Sequence, residues 1–287
     1  MPEAAASSSR WLVSTEWLAA NLDAPDLIVV DGSWHLPGAN REGRTEYLAA
    51  HIPGAVFFDI DAIADTSSGL PHMLAKPHDF AAAVGALGIG DGMKIVVYDG
   101  AGLFSAPRVW WTFRVFGAKD VLILDGGFPK WQAEGRPVEE GNGRRQPMRF
   151  TPRVDATMIA DIGEVAQRLK DGSAQVVDAR PAPRFRGEAP EPRPGVRAGH
   201  MPGSRNLPFG EVVKDGRLAA PEAIDAALAD AGVDPDEPVI TSCGSGVSAA
   251  ILWLALDSIG KPPRALYDGS WAEWGSSDQP IETGPAK

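Results

Sequence analysis

The chain has 287 residues, of which 44% are hydrophobic and 23% are charged, so its length suits about two globular domains with substantial cores. Its 27 basic and 38 acidic side chains give a formal net charge of −11, which disfavours nucleic acid and anionic membranes as partners. The longest apolar run, residues 249–256, is far shorter than the roughly 20 residues that span a bilayer. No apolar signal segment opens the chain, and one cysteine cannot form an internal disulfide, so we expect a cytoplasmic protein.

Short β-branched runs alternate with helical patterns along the whole chain. The predicted strands are 27–30, 94–99, 121–125, 174–179, 238–243 and 264–268, and the predicted helices are 78–89, 106–117, 162–172, 221–233 and 249–258. Strands that alternate with helices form βαβ units. We therefore predict an α/β fold with mostly parallel sheets flanked by helices.

The sequence also repeats itself at long range. "AHIPGAVFFDI" (50–60) resembles "GHMPGSRNLPF" (199–209), and "VLILDGGFPKWQ" (121–132) resembles "RALYDGSWAEW" (264–274). An offset of about half the chain indicates two duplicated domains rather than an array of short repeats.

The join between the two copies is marked by composition. Residues 136–157 are rich in Gly, Pro and charged side chains, as linkers are. We predict an N-terminal domain over 1–145, a linker over 146–157 and a C-terminal domain over 158–287.

The only cysteine, Cys243, ends the predicted strand 238–243 and precedes a Gly-x-Gly turn. Ligands of open α/β sheets gather beyond the carboxyl ends of the strands. Gly244 and Gly246 allow successive N–H groups to turn inward, and the helix that begins near Ser248 adds its positive end. Both effects favour the thiolate, so we interpret Cys243 as a reactive nucleophile rather than a buried structural thiol.

Several other cysteine chemistries fit this loop less well. A cysteine-dependent phosphatase or arsenate reductase needs an arginine six residues after the thiol, where this chain has Ala249. The signatures of papain-like proteases are missing, and a zinc site would need a second thiol or closely spaced histidines. The loop suits a sulfur anion such as a persulfide, and we expect no metal and no organic cofactor.

The duplicated organisation resembles that of the two-domain rhodanese superfamily, from "WLVSTEWLAANL" to "YDGSWAEWG". The loop "CGSGVSA" is similar to the active loop of the 3-mercaptopyruvate sulfurtransferases in that superfamily. Thiosulfate sulfurtransferases of the same fold typically have basic residues directly after the cysteine, where this chain has Gly244 and Ser245. The resemblance implies two tandem rhodanese-like domains, with Gly244, Gly246, Val247 and Ser248 among the residues that bind substrate. Ser248 replaces a threonine that is common in the family and keeps the hydroxyl group.

The basic segment 180–209 resembles the family block R-F-R-G…E-P-R…G-H-I-P-G. By this match, Arg184 and Arg193 are expected to bind the carboxylate and keto oxygens of the substrate, a role that suits a planar guanidinium group. Arg186 has two readings, as a substrate contact or as a structural ion-pair partner. Arg180 and Arg205 are expected to be structural.

In the N-terminal half, the resemblance singles out Asp61 and His72. It implies an Asp61–His72–Ser245 relay across the domain interface, with His72 as a proton shuttle near neutral pH. Residues 99–108 take the position of the Cys243 loop without a cysteine. The N-terminal domain is therefore expected to be catalytically silent and to supply one wall of the cleft.

The resemblance implies a sulfurtransferase that moves sulfur from 3-mercaptopyruvate through a Cys243 persulfide to an acceptor and releases pyruvate. The expected acceptor is thioredoxin, a small thiol or cyanide. Two alternatives stay open, namely thiosulfate:cyanide sulfurtransfer on the same scaffold and a non-catalytic persulfide-binding module. His51 and His200 repeat within matching H-x-P-G motifs, so we assign them to architecture rather than to catalysis.

Overall fold

The computed structural model describes residues 9–286. Residues 1–8, which form part of the stretch behind the prediction of no signal segment, lie outside the described range. Between Ser9 and Ala286, no helix has the length and apolar character needed to cross a bilayer.

The N-terminal half folds around a parallel sheet. Its strands are β1 (Leu12–Val13), β2 (Leu27–Asp31), β3 (Val56–Phe57), β4 (Lys94–Tyr98) and β5 (Val121–Leu124). Its helices are α1 (Thr15–Asn21), α2 (Gly43–Ala49), α3 (Pro77–Ala86), α4 (Ala106–Val115) and α5 (Gly127–Ala133). The strand order is β1-β5-β4-β2-β3. Helices cover both faces of the central strands, so β2 and β4 are almost continuously apolar.

The C-terminal half repeats this plan. Its sheet contains β6 (Ile159–Ala160), β7 (Gln175–Asp178), β8 (Arg205–Asn206), β11 (Val239–Ser242) and β12 (Ala265–Tyr267), and a separate antiparallel hairpin contains β9 (Val213–Lys214) and β10 (Arg217–Leu218). The helices are α6 (Ile162–Asp171), α7 (Ala182–Phe185), α8 (Pro221–Asp230), α9 (Ala249–Ser258) and α10 (Ser270–Trp274), with 3₁₀ turns at Ala156–Met158 and Phe209–Glu211. The sheet order, β6-β12-β11-β7-β8, is the same as in the first half. The predicted α/β fold with two similar domains is confirmed.

The two halves share an interface between α4 and α9. One continuous apolar core contains side chains of both helices, and Trp111 lies with its ring 6.3 Å from that of Trp253. At the edge of this core, the buried carboxylate of Asp257 accepts from Arg10 at 2.9 Å and from Arg114 at 3.1 Å. The interface therefore combines apolar packing with charged contacts, and it fixes the carboxyl ends of the two sheets relative to one another.

The predicted linker lies along the N-terminal half. The N–H groups of Met148 and Arg153 donate to Gly85 and Phe116 at 2.9 Å each, and Phe150 is buried. This stretch is hydrogen-bonded to the domain before it rather than suspended between domains. The boundaries at 146 and 157 stay a prediction.

Candidate active site

Cys243 directly follows β11, the central strand of the second sheet, and its side chain is buried. Its N–H donates to the Ser270 hydroxyl at 3.2 Å, and its carbonyl accepts from Trp271 at 2.9 Å. The loop turns back at Gly246, whose φ of +78° is a left-handed conformation that favours glycine. Cys243 is thus held in place by β11, which precedes it, and by α10, which contacts its backbone.

The backbone of the loop keeps unused donors. In the described part of the chain, none of the N–H groups from Gly244 to Ser248 donates to a protein acceptor. Buried N–H groups normally have a partner, so this set of donors is suited to an anion held at the loop. Val247 is buried and Ser248 precedes α9, while substrate binding by Gly244, Gly246, Val247 and Ser248 stays a prediction.

The relay implied by the resemblance is assembled across the interface. His72 Nε2 lies 2.9 Å from Asp61 Oδ1, and His72 Nδ1 lies 3.0 Å from Ser245 Oγ. A carboxylate only accepts hydrogen bonds, so Nε2–H donates to Asp61, while Nδ1 lies within hydrogen-bond distance of the Ser245 hydroxyl and, at 3.2 Å, of the Ser245 carbonyl. The hydrogen bond from His72 lowers the pKa of Asp61. The three side chains form a continuous path from the cleft to the loop.

Trp34 supports the relay and was missed by the sequence analysis. Its indole Nε1–H donates to Asp61 Oδ2 at 3.0 Å, and its ring meets the His72 imidazole edge-to-face at 4.8 Å. The signal that could have found it is its position, because it follows β2 at the carboxyl edge of the first sheet.

Arg184 lies beside the loop and is oriented by a buried carboxylate. A Cβ placed on Gly244 would lie 3.1 Å from Arg184 Nη2. Glu191, which is 4% exposed, accepts from Arg184 Nε at 3.2 Å and from Arg180 Nη1 at 2.9 Å. Arg180 is fully buried and also pairs with Asp178, which is the geometry that its predicted structural role would give, and that role stays a prediction. Glu191 stands in the quoted E-P-R motif, where only the arginine was singled out.

Arg193 is the second predicted arginine, and it is half-buried at the same site. Its guanidinium donates to no acceptor in the described residues, 9 to 286. Burial lowers its pKa, and the charges of Cys243, Arg184 and Asp61 also act on that pKa, which puts these groups close to it. Arg193 is thus a partly desolvated cation without a protein partner.

Arg186 does not share this environment. It forms an exposed ion pair with Glu188 at 2.8 Å, two residues along the chain. Of the two readings left open for Arg186, the structural ion pair is the one that the geometry favours. His51 and His200 are buried, and each forms a hydrogen bond through Nδ1 with a backbone carbonyl, of Tyr47 at 2.8 Å and of Phe185 at 2.9 Å, as their architectural assignment predicts.

Arg108 is a further residue that the sequence analysis passed over. It lies on α4, in the segment expected to be silent, and is 2% exposed. Its Nη2 donates to the His72 carbonyl and to Asp268 Oδ1, both at 2.6 Å. A Cβ placed on Gly246 would lie 2.6 Å from Arg108 Nη1, so the loop and this guanidinium fit closely.

A cleft of about 780 Å³ opens beside the relay. Trp34, Asp61, His72 and Arg193 line it, together with several residues of 35–46 in the N-terminal half. The cleft gives solutes a path to the relay and to the unpaired arginine.

Comparisons with known proteins agree with this geometry. A family model for the rhodanese-like domain matches residues 14–134 and again residues 161–277. These two matches cover most of the chain, and each contains four of the five strands of one sheet. The chain therefore belongs to the rhodanese family, as a protein with two rhodanese-like domains.

Individual relatives are similar over almost their whole length. The 3-mercaptopyruvate sulfurtransferase of Escherichia coli (strain K12) is 44% identical over 277 residues, which cover 96% of this chain and 99% of the relative. A thiosulfate sulfurtransferase of Cricetulus griseus is 43% identical over 273 residues, 92% of each chain. The crystal structure of SseA, a 3-mercaptopyruvate sulfotransferase from Escherichia coli, matches with a TM-score of 0.85 at 42% identity, and covers 91% of this chain and 98% of that one.

Proposed function

We propose that this protein is a sulfurtransferase that takes sulfur from 3-mercaptopyruvate, holds it as a persulfide on Cys243 and passes it to a thiol or to cyanide. The observation that carries the proposal is the Asp61–His72–Ser245 relay, which ends two residues from Cys243 and beside the unpaired Arg193. Relatives named for this activity add support at 44% identity.

The first half-reaction begins with the Cys243 thiolate. It attacks the sulfur of 3-mercaptopyruvate, so that an S–S bond forms while the bond between that sulfur and C3 of the substrate breaks. The bonding electrons stay on C3 and give the enolate of pyruvate. The proton of the substrate thiol moves to C3 through Ser245 and His72, which leaves pyruvate and an anionic persulfide.

The charged groups of the site have separate tasks in this step. Arg184 and Arg193 bind the carboxylate and keto oxygen and stabilise the enolate as it forms. Asp61 holds the His72 ring in the tautomer that accepts from Ser245. The unused loop N–H groups stabilise the negative persulfide.

In the second half-reaction, an acceptor thiol attacks the outer sulfur and leaves as its own persulfide, and Cys243 becomes a thiolate again. Cyanide would leave as thiocyanate. We propose that the acceptor approaches through the cleft of about 780 Å³ that Asp61, His72 and Arg193 line. Thioredoxin and small thiols are the acceptors we propose, and a cytoplasmic location belongs to the same proposal.

Parallel assays test the choice of substrate. Pyruvate released from 3-mercaptopyruvate and thiocyanate formed from thiosulfate are measured on the same preparation. We expect kcat/KM to be larger for 3-mercaptopyruvate, because Gly244 and Ser245 provide no cation for a sulfonate group. Greater efficiency with thiosulfate would favour the activity named for the Cricetulus griseus relative. A mass gain of about 32 Da on Cys243 with no turnover would favour a persulfide-binding module.

The unpaired arginine gives a second test. Arg193→Met should raise KM for 3-mercaptopyruvate about tenfold or more, because a bidentate carboxylate contact is lost. Arg186→Met is the matched control, since that side chain lies in an exposed ion pair, and its KM should stay at the wild-type value. Equal KM values for the two variants would remove Arg193 from the substrate site.

A further inference from the structure

We propose that Arg108, a residue of the N-terminal half, positions the His72 relay against the cysteine loop through its ion pair with Asp268. The inference rests on the proposed function, because it assigns a positioning role for that reaction. Arg108 does not touch the reacting atoms and acts only through His72 and the loop.

The first observation concerns the backbone of His72. His72 has a φ of +61°, a left-handed conformation that is uncommon for any residue with a side chain. Such a conformation persists only when surrounding contacts impose it. The His72 ring makes the relay contacts from this conformation, so whatever imposes it also directs the ring.

Arg108 and Asp268 supply contacts of this kind on the C-terminal side of His72. Arg108 Nη2 donates to the His72 carbonyl at 2.6 Å, and Asp268 Oδ2 accepts from the Leu74 N–H at 2.8 Å. Arg108 and Asp268 bond to each other at 2.6 Å, and their side chains are 3% and 5% exposed. One buried ion pair therefore holds the peptide groups before and after residue 73.

The same guanidinium reaches the active loop. Arg108 Nη1 donates to the Gly246 carbonyl at 3.4 Å, next to the Ser245 residue that His72 contacts. Arg108 thus sets the distance between the two ends of the His72–Ser245 hydrogen bond. The ion pair between Arg217 and Asp125 also joins the two halves, and within residues 9–286 it involves neither His72 nor the cysteine loop.

Two substitutions separate this role from general support of the interface. Arg108→Lys keeps the positive charge for Asp268, but an ammonium group cannot reproduce the fixed fork that reaches His72 and Gly246 together. Arg217→Met is the matched control, because it removes another charged contact between the halves. We expect Arg108→Lys to lower kcat for pyruvate release about tenfold with KM within about twofold of wild type, since Arg184 and Arg193 stay in place. Arg217→Met should leave both constants unchanged.

A double-substitution cycle with Ser245→Ala tests whether Arg108 acts through the relay. Ser245→Ala removes the hydroxyl that His72 contacts, so Arg108→Lys in that background should lower kcat by no more than about twofold. A tenfold loss in both backgrounds would assign Arg108 to structural support alone and overturn the proposal.

The imidazole signals in a nuclear magnetic resonance spectrum decide the question even without turnover, and the chain has only five histidines to assign. The signals of His72 should move in Arg108→Lys and stay in place in Arg217→Met. Unmoved His72 signals in Arg108→Lys would overturn the inference. A wild-type protein that releases no pyruvate, but whose His72 signals move in Arg108→Lys, would refute the proposed function and leave the positioning role supported.

Discussion

The two loops that follow the central strands of the two sheets differ in what occupies their N–H groups. In the C-terminal half, the N–H groups that follow Cys243 donate to no protein acceptor between residues 9 and 286. In the N-terminal half, the equivalent position after β4 is Asp99, whose carboxylate accepts from the loop that follows it. Among the described residues, one loop leaves these donors without a protein acceptor, and the other uses them on its own side chain.

The contacts of Asp99 are numerous and short. Its Oδ1 accepts from Ala101 at 2.8 Å, and its Oδ2 accepts from Phe104, Ser105 and Ala106 at 2.7, 2.9 and 2.8 Å. Asp99 is 1% exposed, so these bonds are made in a desolvated environment. The Asp99 carboxylate accepts hydrogen bonds from its loop permanently, as we propose that a persulfide on Cys243 does transiently. This difference explains how duplicated domains can share a fold without sharing chemistry.

The largest loss of activity should come from a substitution that makes the cysteine loop like the Asp99 loop. Cys243→Asp should abolish pyruvate release, with a loss of at least about 10³-fold, because the nucleophile is removed. The protein should still fold, since a carboxylate at this position can accept from the free N–H groups of the loop. Pyruvate release and thermal unfolding, measured beside Cys243→Ser, check both parts. Residual turnover near the wild-type level would refute the role of Cys243.

Asp99→Asn tests the occupied loop. The amide keeps the shape of the side chain but turns an NH₂ group toward backbone donors, so buried N–H groups lose their acceptor. We expect the free energy of unfolding to fall by roughly 3 kcal/mol, as measured by denaturant titration. An unchanged free energy of unfolding would mean that the Asp99 bonds contribute no net stability.

A second pair of matched residues, Asp31 and Asp178, also differs in its partners. Asp178 ends β7 and forms an ion pair with Arg180 at 2.7 Å, whereas the residue at the Arg180 position in the first half is Ser33. Burial raises the pKa of Asp31 to about 6, while hydrogen bonds from Ser33 oppose that shift. The same strand-end carboxylate is thus neutralised by an arginine in one half and left without one in the other.

The raised pKa of Asp31 makes stability depend on pH. The folded state holds the proton more tightly than the unfolded state, so stability falls as pH rises from about 3.8 to about 6 and then levels off. A shift of about two units corresponds to roughly 3 kcal/mol, which Asp31→Asn should recover at pH 7.5 but not near pH 4. Denaturant titrations at both pH values measure the difference.

Asp178→Asn is the control for that experiment and has the opposite sign. It leaves the Arg180 guanidinium buried with one fewer negative partner, so it should destabilise the protein at pH 7.5. If Asp31→Asn and Asp178→Asn both destabilised the protein at pH 7.5, the proposed contrast between the two strand ends would be wrong.

The smallest loss of stability should come from Arg217→Met. Arg217 on β10 donates to Asp125 of the other half; the Asp125 side chain is 8% exposed but that of Arg217 is 49% exposed, so water screens this pair more than a fully buried one. The counterpart pair, Arg108 with Asp268, is buried, so the two strand-end aspartates should differ sharply in what their arginines contribute. A large loss of stability in Arg217→Met, seen by thermal unfolding, would contradict this ranking.

Local pattern was enough to predict much of the fold. All six predicted strands and all five predicted helices correspond to elements of the structure, because buried β-branched runs and helical periodicity are local properties. The edge strands β1, β3, β6 and β8 were not predicted. Each has two residues, too few for any period to show.

The residues of the candidate site that stand in recognisable motifs were predicted. Arg108, whose role depends on a contact across the interface, was missed. Cys243 and its glycines follow from a strand, a turn and a helix in sequence, and Asp61 and His72 came from the family resemblance. Arg108 meets Asp268 at a separation of 160 residues, and no local pattern encodes that contact. Asp125 and Asp268 belong to Asp-Gly pairs that repeat in the two halves and so indicate duplication. Each aspartate also accepts a hydrogen bond from an arginine of the opposite half.

The hairpin turn at Gly216 reaches across the interface to the N-terminal half. A Cβ placed on Gly102 would lie 2.7 Å from the Cα and the carbonyl oxygen of Gly216, so the turn rests directly on the loop after Asp99. A side chain larger than that of glycine at position 102 would collide with this backbone. The residue that position 102 can hold is therefore limited by the C-terminal half and not by its own loop alone.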